Sequence, residues 1–253
     1  MTPPEQVPNP QLPIVQRLRF RYAKRGRLRF TSHRDFGRAF ERAVRRAGVP
    51  IAFSLGYSPH PKISYAGASP TGASSEAEYL EIGVTQECDP EQVRHKLDDA
   101  LPDGLDLVEV QVHEPGGPAL ADRLEASEWV LSLQGVAPAV AAGAVEAFLA
   151  ADVVEVDRMT KKGLRTFDCR AAVVSLASAA DEAADGPCAI LTMVVRHGTP
   201  SVRPDDVLAG LRSVAGLEPP VSPRANRTAQ GPLDAQTGTV GNPFALDRDA
   251  SQG

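Results

Sequence analysis

Six consecutive residues near the N-terminus alternate strictly between arginine and large apolar side chains: Arg17-Leu18-Arg19-Phe20-Arg21-Tyr22. Successive side chains of a strand point to opposite faces, so this pattern predicts a half-buried β-strand. Leu18, Phe20 and Tyr22 are expected to face a core, and the three arginines are expected to face outward. The segment must therefore belong to a sheet that other elements cover on its apolar face.

The patterns that follow predict the order strand, helix, strand, strand, helix, strand. Ser32, with Asp35 in the first turn, begins a helix that Gly48 ends, and Asp89-Pro90 begins the second helix. This is the order of the βαββαβ ferredoxin-like unit, in which the helices cover one sheet face and leave the other free. After the first strand, strand-like segments are predicted at residues 27–30, 50–53, 63–66, 78–84 and 105–112.

The second half repeats this element order, with a strand at 128–133, a helix at 138–149, a hairpin within 153–174, a strand at 189–196 and a helix at 204–213. We therefore expect an α+β fold with two ferredoxin-like units in tandem, at residues 15–115 and 125–216. Residues 1–14 are expected to be a disordered lead-in. Residues 217–253 are expected to be a mostly disordered tail, because they show little apolar periodicity.

Positive charge is concentrated in one segment of an acidic chain. Residues 17–62 contain thirteen Lys/Arg and two Asp/Glu, a formal charge of +11, whereas the whole chain is −5 and the remainder is therefore −16. Such a separation is what a polyanion-binding surface requires, and nucleic acid is the first candidate. The predicted nucleic-acid-binding residues are Arg17, Arg19, Arg21, Arg27, Arg29, His60 and Lys62.

Two interpretations of the strand arginines stay open. Arg17, Arg19 and Arg21 could lie on the free sheet face and bind phosphates. They could equally form ion pairs with acidic residues from the rest of the chain. The predicted first helix also carries an arginine stripe, which is typical of a solvated outer face. The stripe consists of Arg34, Arg38, Arg42 and Arg45.

A long loop rich in Gly, Ser and Pro follows the first helix and contains Pro59-His60-Pro61. Proline on both sides restricts the backbone around His60, so the imidazole could bind phosphate or act in acid–base chemistry. The alternative is that His60 and Tyr57 stabilise a turn. His33 at a helix N-terminus could hold an anion, or could simply pack. The weak catalytic candidates are His60, His33 and Tyr57.

Composition and motifs exclude several classes of protein. The three cysteines, Cys88, Cys169 and Cys188, are far apart and include no C-x-x-C, so no metal site and no disulfide framework are expected. The apolar runs are too short to span a bilayer, and the N-terminus lacks a signal-peptide layout, which predicts a cytoplasmic protein without a membrane partner. No P-loop, dinucleotide, zincin or nucleophile-elbow motif occurs, so an accessory role is favoured over an enzymatic one, which stays open.

Two strings together resemble the bacterial radical-SAM-linked protein family: Leu28-Arg29-Phe30-Thr31-Ser32-His33-Arg34-Asp35 and Gly56-Tyr57-Ser58-Pro59-His60-Pro61-Lys62. That family is a domain of unknown function encoded beside, or fused behind, a radical SAM protein. The resemblance spans residues 16–113 and continues weakly through 161–170 and 203–206. It implies that a partner enzyme carries the iron–sulfur cluster and S-adenosylmethionine, so no cofactor is expected in this chain.

The leading hypothesis is an accessory RNA-binding module that presents tRNA or rRNA to a separate radical SAM enzyme. The resemblance favours RNA over a specific DNA sequence, because relatives in many bacteria are encoded near a ribonuclease of the E/G type and ribosomal proteins. One alternative is a metal-independent endoribonuclease that uses His33, His60, Tyr57 and Lys62. The other is a protein–protein docking module that binds the radical SAM partner without RNA.

Overall fold

The computed structural model describes residues 12–55, 57–113, 117–160 and 163–250, so most of the predicted lead-in lies outside the described residues. The fold is mixed α+β with mostly antiparallel strands. The chain divides into two compact units. The first contains residues up to 68, residues 78–118 and residues from 244 onward, and the second contains residues 69–77 and 119–243. Among the described residues, no helix is both long and apolar enough to cross a bilayer.

The first unit has four strands in the order β4-β1-β3-β2, with antiparallel pairing of β1 with β4 and of β2 with β3. Leu18, Phe20 and Tyr22 are buried in a core with residues of both long helices, which confirms the predicted inward face of β1. The elements are β1 (Gln16–Lys24), α1 (His33–Ala47), β2 (Ile63–Ala66), β3 (Ser74–Val84), α2 (Pro90–Asp98), β4 (Leu105–Val112) and the short helix α5 (Ala245–Ala250).

Helix α1 begins and ends where the sequence indicates. The Ser32 hydroxyl accepts a hydrogen bond from the Asp35 backbone N–H, which satisfies a free donor of the first turn. Gly48 ends the helix in the left-handed conformation, at φ 64°, which glycine adopts without strain. Phe36 and Phe40 face the core, and the ring of Tyr22 stacks on Phe36 with centroids 4.1 Å apart. The predicted apolar stripe is therefore the buried face of α1.

The second unit has four strands in the antiparallel order β10-β5-β9-β8, with a separate hairpin of β6 and β7. The first residues of β3 also belong here, since Ser74 and Ser75 pair in parallel with Asn226 and Arg227. The elements are β5 (Ala126–Gln134), α3 (Pro138–Ala150), β6 (Glu155–Thr160), β7 (Gly163–Asp168), β8 (Val173–Ala180), β9 (Cys188–Arg196), α4 (Pro204–Ala215) and β10 (Arg224–Gly231).

Three predicted strands differ from the structure. Residues 27–30 are not a strand, because Gly26 turns the chain at φ 54° and a 3-10 helix spans Gly26–Phe30. Residues 50–53 make single bridges, Ile51 with Val84 and Phe53 with Pro61, rather than a strand. The second strand of the hairpin predicted within 153–174 ends at Asp168, and a strand that was not predicted, β8, begins at Val173.

The prediction of a disordered tail is wrong for its described part. Residues 224–231 form β10, residues 245–250 form α5, and Leu233 bridges to Val240 between them. The buried residues of β10 are Arg227, Gln230 and Gly231. Because these are not apolar, the strand lacks the hydrophobic alternation by which strands are recognised in a sequence.

Substitution of Gly231 tests whether the segment around β10 is folded. A Cβ atom at position 231 would lie 2.1 Å from the backbone oxygen of Gly241, so the backbone must shift to accommodate it. We expect Gly231→Ala to lower the free energy of unfolding by about 1–3 kcal/mol, as overpacking does. Gly143→Ala is the control, because a Cβ there meets nothing within 4 Å in the interior of α3. The control should stabilise the protein by about 0.5–1 kcal/mol. Urea unfolding of both variants measures the two effects, and equal stabilities would contradict the described β10 region.

Candidate nucleic-acid interface

Arg19, predicted to face outward on β1, is buried, with 1% of its side chain exposed. Its Nε donates to Glu81 Oε2 at 2.9 Å, and its Nη1 lies 3.1 Å from Asp247 Oδ2. Its Nη2 donates to the backbone oxygen of Pro118 at 3.2 Å. These partners satisfy the guanidinium inside the first unit, because a buried charge needs both pairing and hydrogen bonds.

The arginines on either side of Arg19 are also paired. Arg17 lies 2.9 Å from Glu81 Oε1, and Arg21 lies 3.1 Å from Glu109 Oε2. The structure thus shows the intramolecular pairing that the sequence left open for these three residues. A nucleic-acid contact at Arg17 or Arg21 stays a prediction.

The C-terminal segment covers part of the sheet face that was expected to be free. Asp247 of α5 is buried against Arg19, and Arg248 donates to the same Glu109 carboxylate that pairs with Arg21. Phe244 is fully buried and meets the ring of Tyr79 edge-on, with centroids 5.4 Å apart. The burial of Arg19 and the folding of the last described part of the tail therefore have one cause, which is that Phe244, Asp247 and Arg248 pack on this face.

Four cations that have no carboxylate partner in the described residues lie together on α1. Arg34, Arg38, Arg42 and Arg45 are exposed, and within the described ranges none of them forms an ion pair. Their spacing of four, four and three residues places them opposite the buried Phe36 and Phe40, along about 16 Å of helix. We call these four residues the α1 arginine stripe.

Two carboxylates lie on the same helix without neutralising the stripe. Asp35 accepts a hydrogen bond from the Ser32 hydroxyl at 2.7 Å as part of the N-terminal cap. Glu41 is half-buried beside Tyr65, where burial and then the Glu41 charge raise the pKa of the phenol. The stripe therefore keeps a net positive charge.

The other predicted cations lie just before and after α1. Arg27 is exposed on the 3-10 helix, and the guanidinium carbon of Arg29 lies 4.5 Å from the centroid of the Phe30 ring. Lys62 is half-buried, and its backbone N–H donates to the Ala52 oxygen. Both segments are thus held by local contacts that leave their side-chain charges without a carboxylate partner in the described structure.

The Pro-His-Pro loop is closed at its base by Ser54 and His60. The Ser54 N–H donates to the His60 oxygen at 2.8 Å, and the His60 N–H donates to the Ser54 hydroxyl at 3.0 Å. Tyr57 lies within this loop and is 99% exposed. In the described residues, no hydrogen bond or ring contact joins the side chains of His60, Tyr57 and His33.

His33 connects α1 with β2. Its ring meets Tyr65 edge-on with centroids 4.9 Å apart, whereas the cap of the helix is provided by Ser32. Tyr65 also contacts Phe36, so β2, which follows Lys62 directly, packs beside the N-terminal half of α1. The helix and the end of the Pro-His-Pro loop therefore belong to the same side of the first unit.

The second unit contains a partly buried serine–histidine pair that no sequence motif indicated. His197 Nε2 lies 2.6 Å from the hydroxyl oxygen of buried Ser127, and Nδ1 lies 2.7 Å from the backbone oxygen of Leu124. A neutral ring that donates from Nδ1 and accepts at Nε2 satisfies both contacts. Burial has the largest effect and lowers the pKa of His197. The Leu124 hydrogen bond raises this pKa by less, and the nearby Arg227 charge lowers it by a still smaller amount.

The lowered pKa predicts a pH dependence of stability. The unfolded chain takes up a proton at His197 at a higher pH than the folded protein does, so protonation favours unfolding. The contribution of His197 is fully present above its unfolded pKa of about 6.5 and is lost as the pH falls from there through the folded pKa. We expect the free energy of unfolding to fall more steeply between pH 7.5 and 5 in the wild type than in His197→Gln. Parallel slopes in urea titrations at several pH values would rule out this contribution.

Among the described residues, no group of three or more His, Cys, Asp or Glu is arranged to hold a metal ion. The three cysteines are unpaired, and Cys169 is fully buried. Burial raises the pKa of the Cys169 thiol to about 12, with further raising effects of Asp168 and Asp206. That thiol therefore stays protonated at neutral pH.

Comparisons with known proteins place the chain in a family. No curated protein matches it. Among solved structures it is similar to a dye-decolorizing protein from V. cholerae at 9% identity, over 88% of this chain and 93% of that chain, with a TM-score of 0.20 that carries no information on fold or function. Residues 17–204 match the family described as "Uncharacterized protein conserved in bacteria (DUF2344)". Because this match covers well over half of the sequence, the chain belongs to the DUF2344 family of bacterial proteins.

Proposed function

We propose that this protein is an accessory RNA-binding protein that presents tRNA or rRNA to a separate radical SAM enzyme. The observation that carries the proposal is the α1 arginine stripe, four exposed guanidinium groups without an ion pair in the described residues. Arg27, Arg29, Lys62 and His60, before and after the helix, extend this surface. The bound segment would run along α1 rather than across the strand arginines.

The absence of carboxylate partners matters for the energy of binding. A phosphate that contacts an unpaired arginine releases its counterions, which favours association at low salt. A phosphate at Arg19 would first have to displace Glu81 and Asp247 and reach a buried group, which is costly. The stripe is therefore the better phosphate-binding surface of the first unit.

The radical SAM partner is inferred from the Ser-His-x-Asp and Pro-His-Pro strings, both of which lie next to this surface. In this proposal the partner contributes the iron–sulfur cluster and S-adenosylmethionine, and the present chain contributes substrate binding. Co-expression with a radical SAM protein from the same genome tests this part. The two proteins should co-purify after nuclease treatment, and separate elution at low salt would contradict the partnership.

We also propose that the two units are ferredoxin-like units in tandem. Numbering the sheet strands of each unit in chain order, both have the order 4-1-3-2, with β4-β1-β3-β2 in the first and β10-β5-β9-β8 in the second. In each unit, helices follow the first and third of these strands. This arrangement supports a common βαββαβ plan, with the β6–β7 hairpin inserted in the second.

Reversing two charges of the stripe tests RNA binding. We expect Arg34→Glu/Arg38→Glu to bind mixed tRNA or fragmented rRNA roughly tenfold or more weakly, with a salt slope shallower by about 2, because two phosphate contacts are lost. Both positions lie in the N-terminal half of α1, where acidic residues do not oppose the helix dipole. Fluorescence anisotropy at several salt concentrations measures affinity and slope together.

The matched control is Arg196→Glu/Arg224→Glu in the second unit. Both arginines are exposed and have no ion pair in the described residues, so the control changes the net charge equally. It should bind RNA nearly as the wild type does. Equal losses in both variants would contradict a specific α1 surface, and no salt-sensitive binding by the wild type would leave docking to a protein partner as the remaining role.

A further inference from the structure

We infer that the α1 surface binds single-stranded RNA, with unpaired bases stacked on Phe30 and Tyr57, and this inference rests on the proposed function. The observation behind it is that exposed aromatic rings lie just before and after the arginine helix. Phe30 is 59% exposed, three residues before α1 begins, and Tyr57 is 99% exposed in the loop after the helix. Within α1 itself the aromatic residues Phe36 and Phe40 are buried.

The two rings are held by different local structures. Phe30 ends the 3-10 helix, and the Arg29 guanidinium lies over one face of its ring. Tyr57 lies in the loop that Ser54 and His60 close with two hydrogen bonds. The 3-10 helix and the two ends of the loop at Ser54 and His60 are thus hydrogen-bonded, so ordering these rings on binding costs less entropy than ordering them on a free chain.

The Arg29 guanidinium and the Phe30 ring together form the kind of surface on which a base stacks. A guanidinium group on one face of a ring adds a positive charge beside a π surface, and both stack on nucleobases. The phosphates that join successive bases would lie along the stripe, beginning at Arg34. Alternation of stacking rings with phosphate-binding cations is the general composition of single-strand binding surfaces.

A duplex does not use these rings. In an A-form helix the bases are paired and stacked inside, and side chains reach mainly the sugar hydroxyls and phosphates. A duplex would therefore contact the arginines but leave Phe30 and Tyr57 in water. Loops, bulges and ends of a folded RNA present unstacked bases, so these are the parts that this surface fits.

The experiment compares a fluorescent single-stranded 12-nucleotide RNA with the same strand in a duplex. We expect the wild type to bind the single strand more tightly. Phe30→Ala and Tyr57→Ala should each weaken single-strand binding roughly fivefold or more, with an unchanged salt slope and little change for the duplex. Phe30→Leu should behave as Phe30→Ala does, because leucine keeps apolar bulk but has no π face.

Leu164→Ala is the control, because Leu164 is an exposed apolar residue of the second unit, on β7. It should bind both RNAs as the wild type does, and a thermal melt of each variant verifies folding. Salt-sensitive RNA binding that favours the duplex, or that is insensitive to both aromatic substitutions, would overturn the single-strand inference while leaving the proposed function intact. No binding of either RNA would overturn the proposed function and this inference with it.

Discussion

Replacing Arg19 with methionine should lower the free energy of unfolding by about 3–5 kcal/mol, the usual cost of removing one partner from a buried ion pair. The substitution keeps most of the apolar stem but removes the guanidinium of Arg19 from Asp247, which is 3% exposed. Among the described residues, Glu81 keeps only the exposed Arg17 as an ion-pair partner. His113 Nδ1 lies 3.3 Å from Asp247 Oδ1 and stays beside this carboxylate in the variant.

Urea unfolding measures this loss, and Arg17→Met is the matched control. Arg17 shares Glu81 with Arg19, but 45% of its side chain is exposed, so its removal should cost at most about 1 kcal/mol. A double variant, Arg19→Met/Asp247→Asn, should recover part of the stability because it also removes the buried negative charge that Arg19 balanced. Equal, small effects of Arg19→Met and Arg17→Met would mean that Arg19 is exposed and that α5 does not cover it.

Replacing Phe244 with alanine should cost about 3–5 kcal/mol, as for other fully buried phenylalanines. Phe244 is fully buried and contacts Tyr79 of β3, although it lies in a segment whose sequence is typical of a disordered tail. The loss should appear as a lower urea midpoint with a nearly unchanged slope, because the surface exposed on unfolding changes little.

Val221→Ala provides the comparison, since Val221 is half exposed in the same part of the sequence. It should change the free energy of unfolding by less than about 0.5 kcal/mol. An effect of Phe244→Ala as small as that of Val221→Ala would contradict the packing of the C-terminal segment on the first unit.

The inward face of β1 and both ends of α1 could be predicted from the sequence because their causes are local. Alternation of Leu18, Phe20 and Tyr22 reflects burial on one face of a strand, and Ser32 and Gly48 provide the helix ends within a few residues. The burial of Arg19 could not be predicted, because its partner Asp247 is 228 residues away. The alternation marks which side of the strand Arg19 occupies, but not what covers that side.

The errors in the second unit and the tail arise where the sequence lacks a strong apolar period. Strand β10 buries Arg227 and Gln230, and β8 consists largely of Ala, Ser and Val, so neither shows a strong apolar period. Strand 27–30 was predicted from two apolar–arginine repeats, which Gly26 and the 3-10 turn override. An alternating pattern of four residues is weaker evidence for a strand than hydrogen bonding to a neighbouring strand.

The candidate surface was only partly predictable. The basic segment as a whole follows from composition, but its division into paired and unpaired cations depends on where the acidic residues lie in the fold. Glu81 and Glu109 form ion pairs with the arginines of β1, whereas the α1 arginine stripe has no carboxylate partner in the described residues. From the sequence alone, that stripe is typical of an ordinary solvated face. Periodicity places Arg34 and Arg38 outside, and only the folded neighbours show that they are unpaired.

Photo-crosslinking tests most directly whether the α1 stripe or the strand face binds RNA. Total tRNA and fragmented rRNA containing 4-thiouridine would be bound to the protein at low salt, irradiated, digested and sequenced by mass spectrometry. Crosslinked peptides should come from residues 27–45 and from the loop around Tyr57. Crosslinks concentrated on residues 17–22 or in the second unit, or no crosslinks at all, would contradict this account.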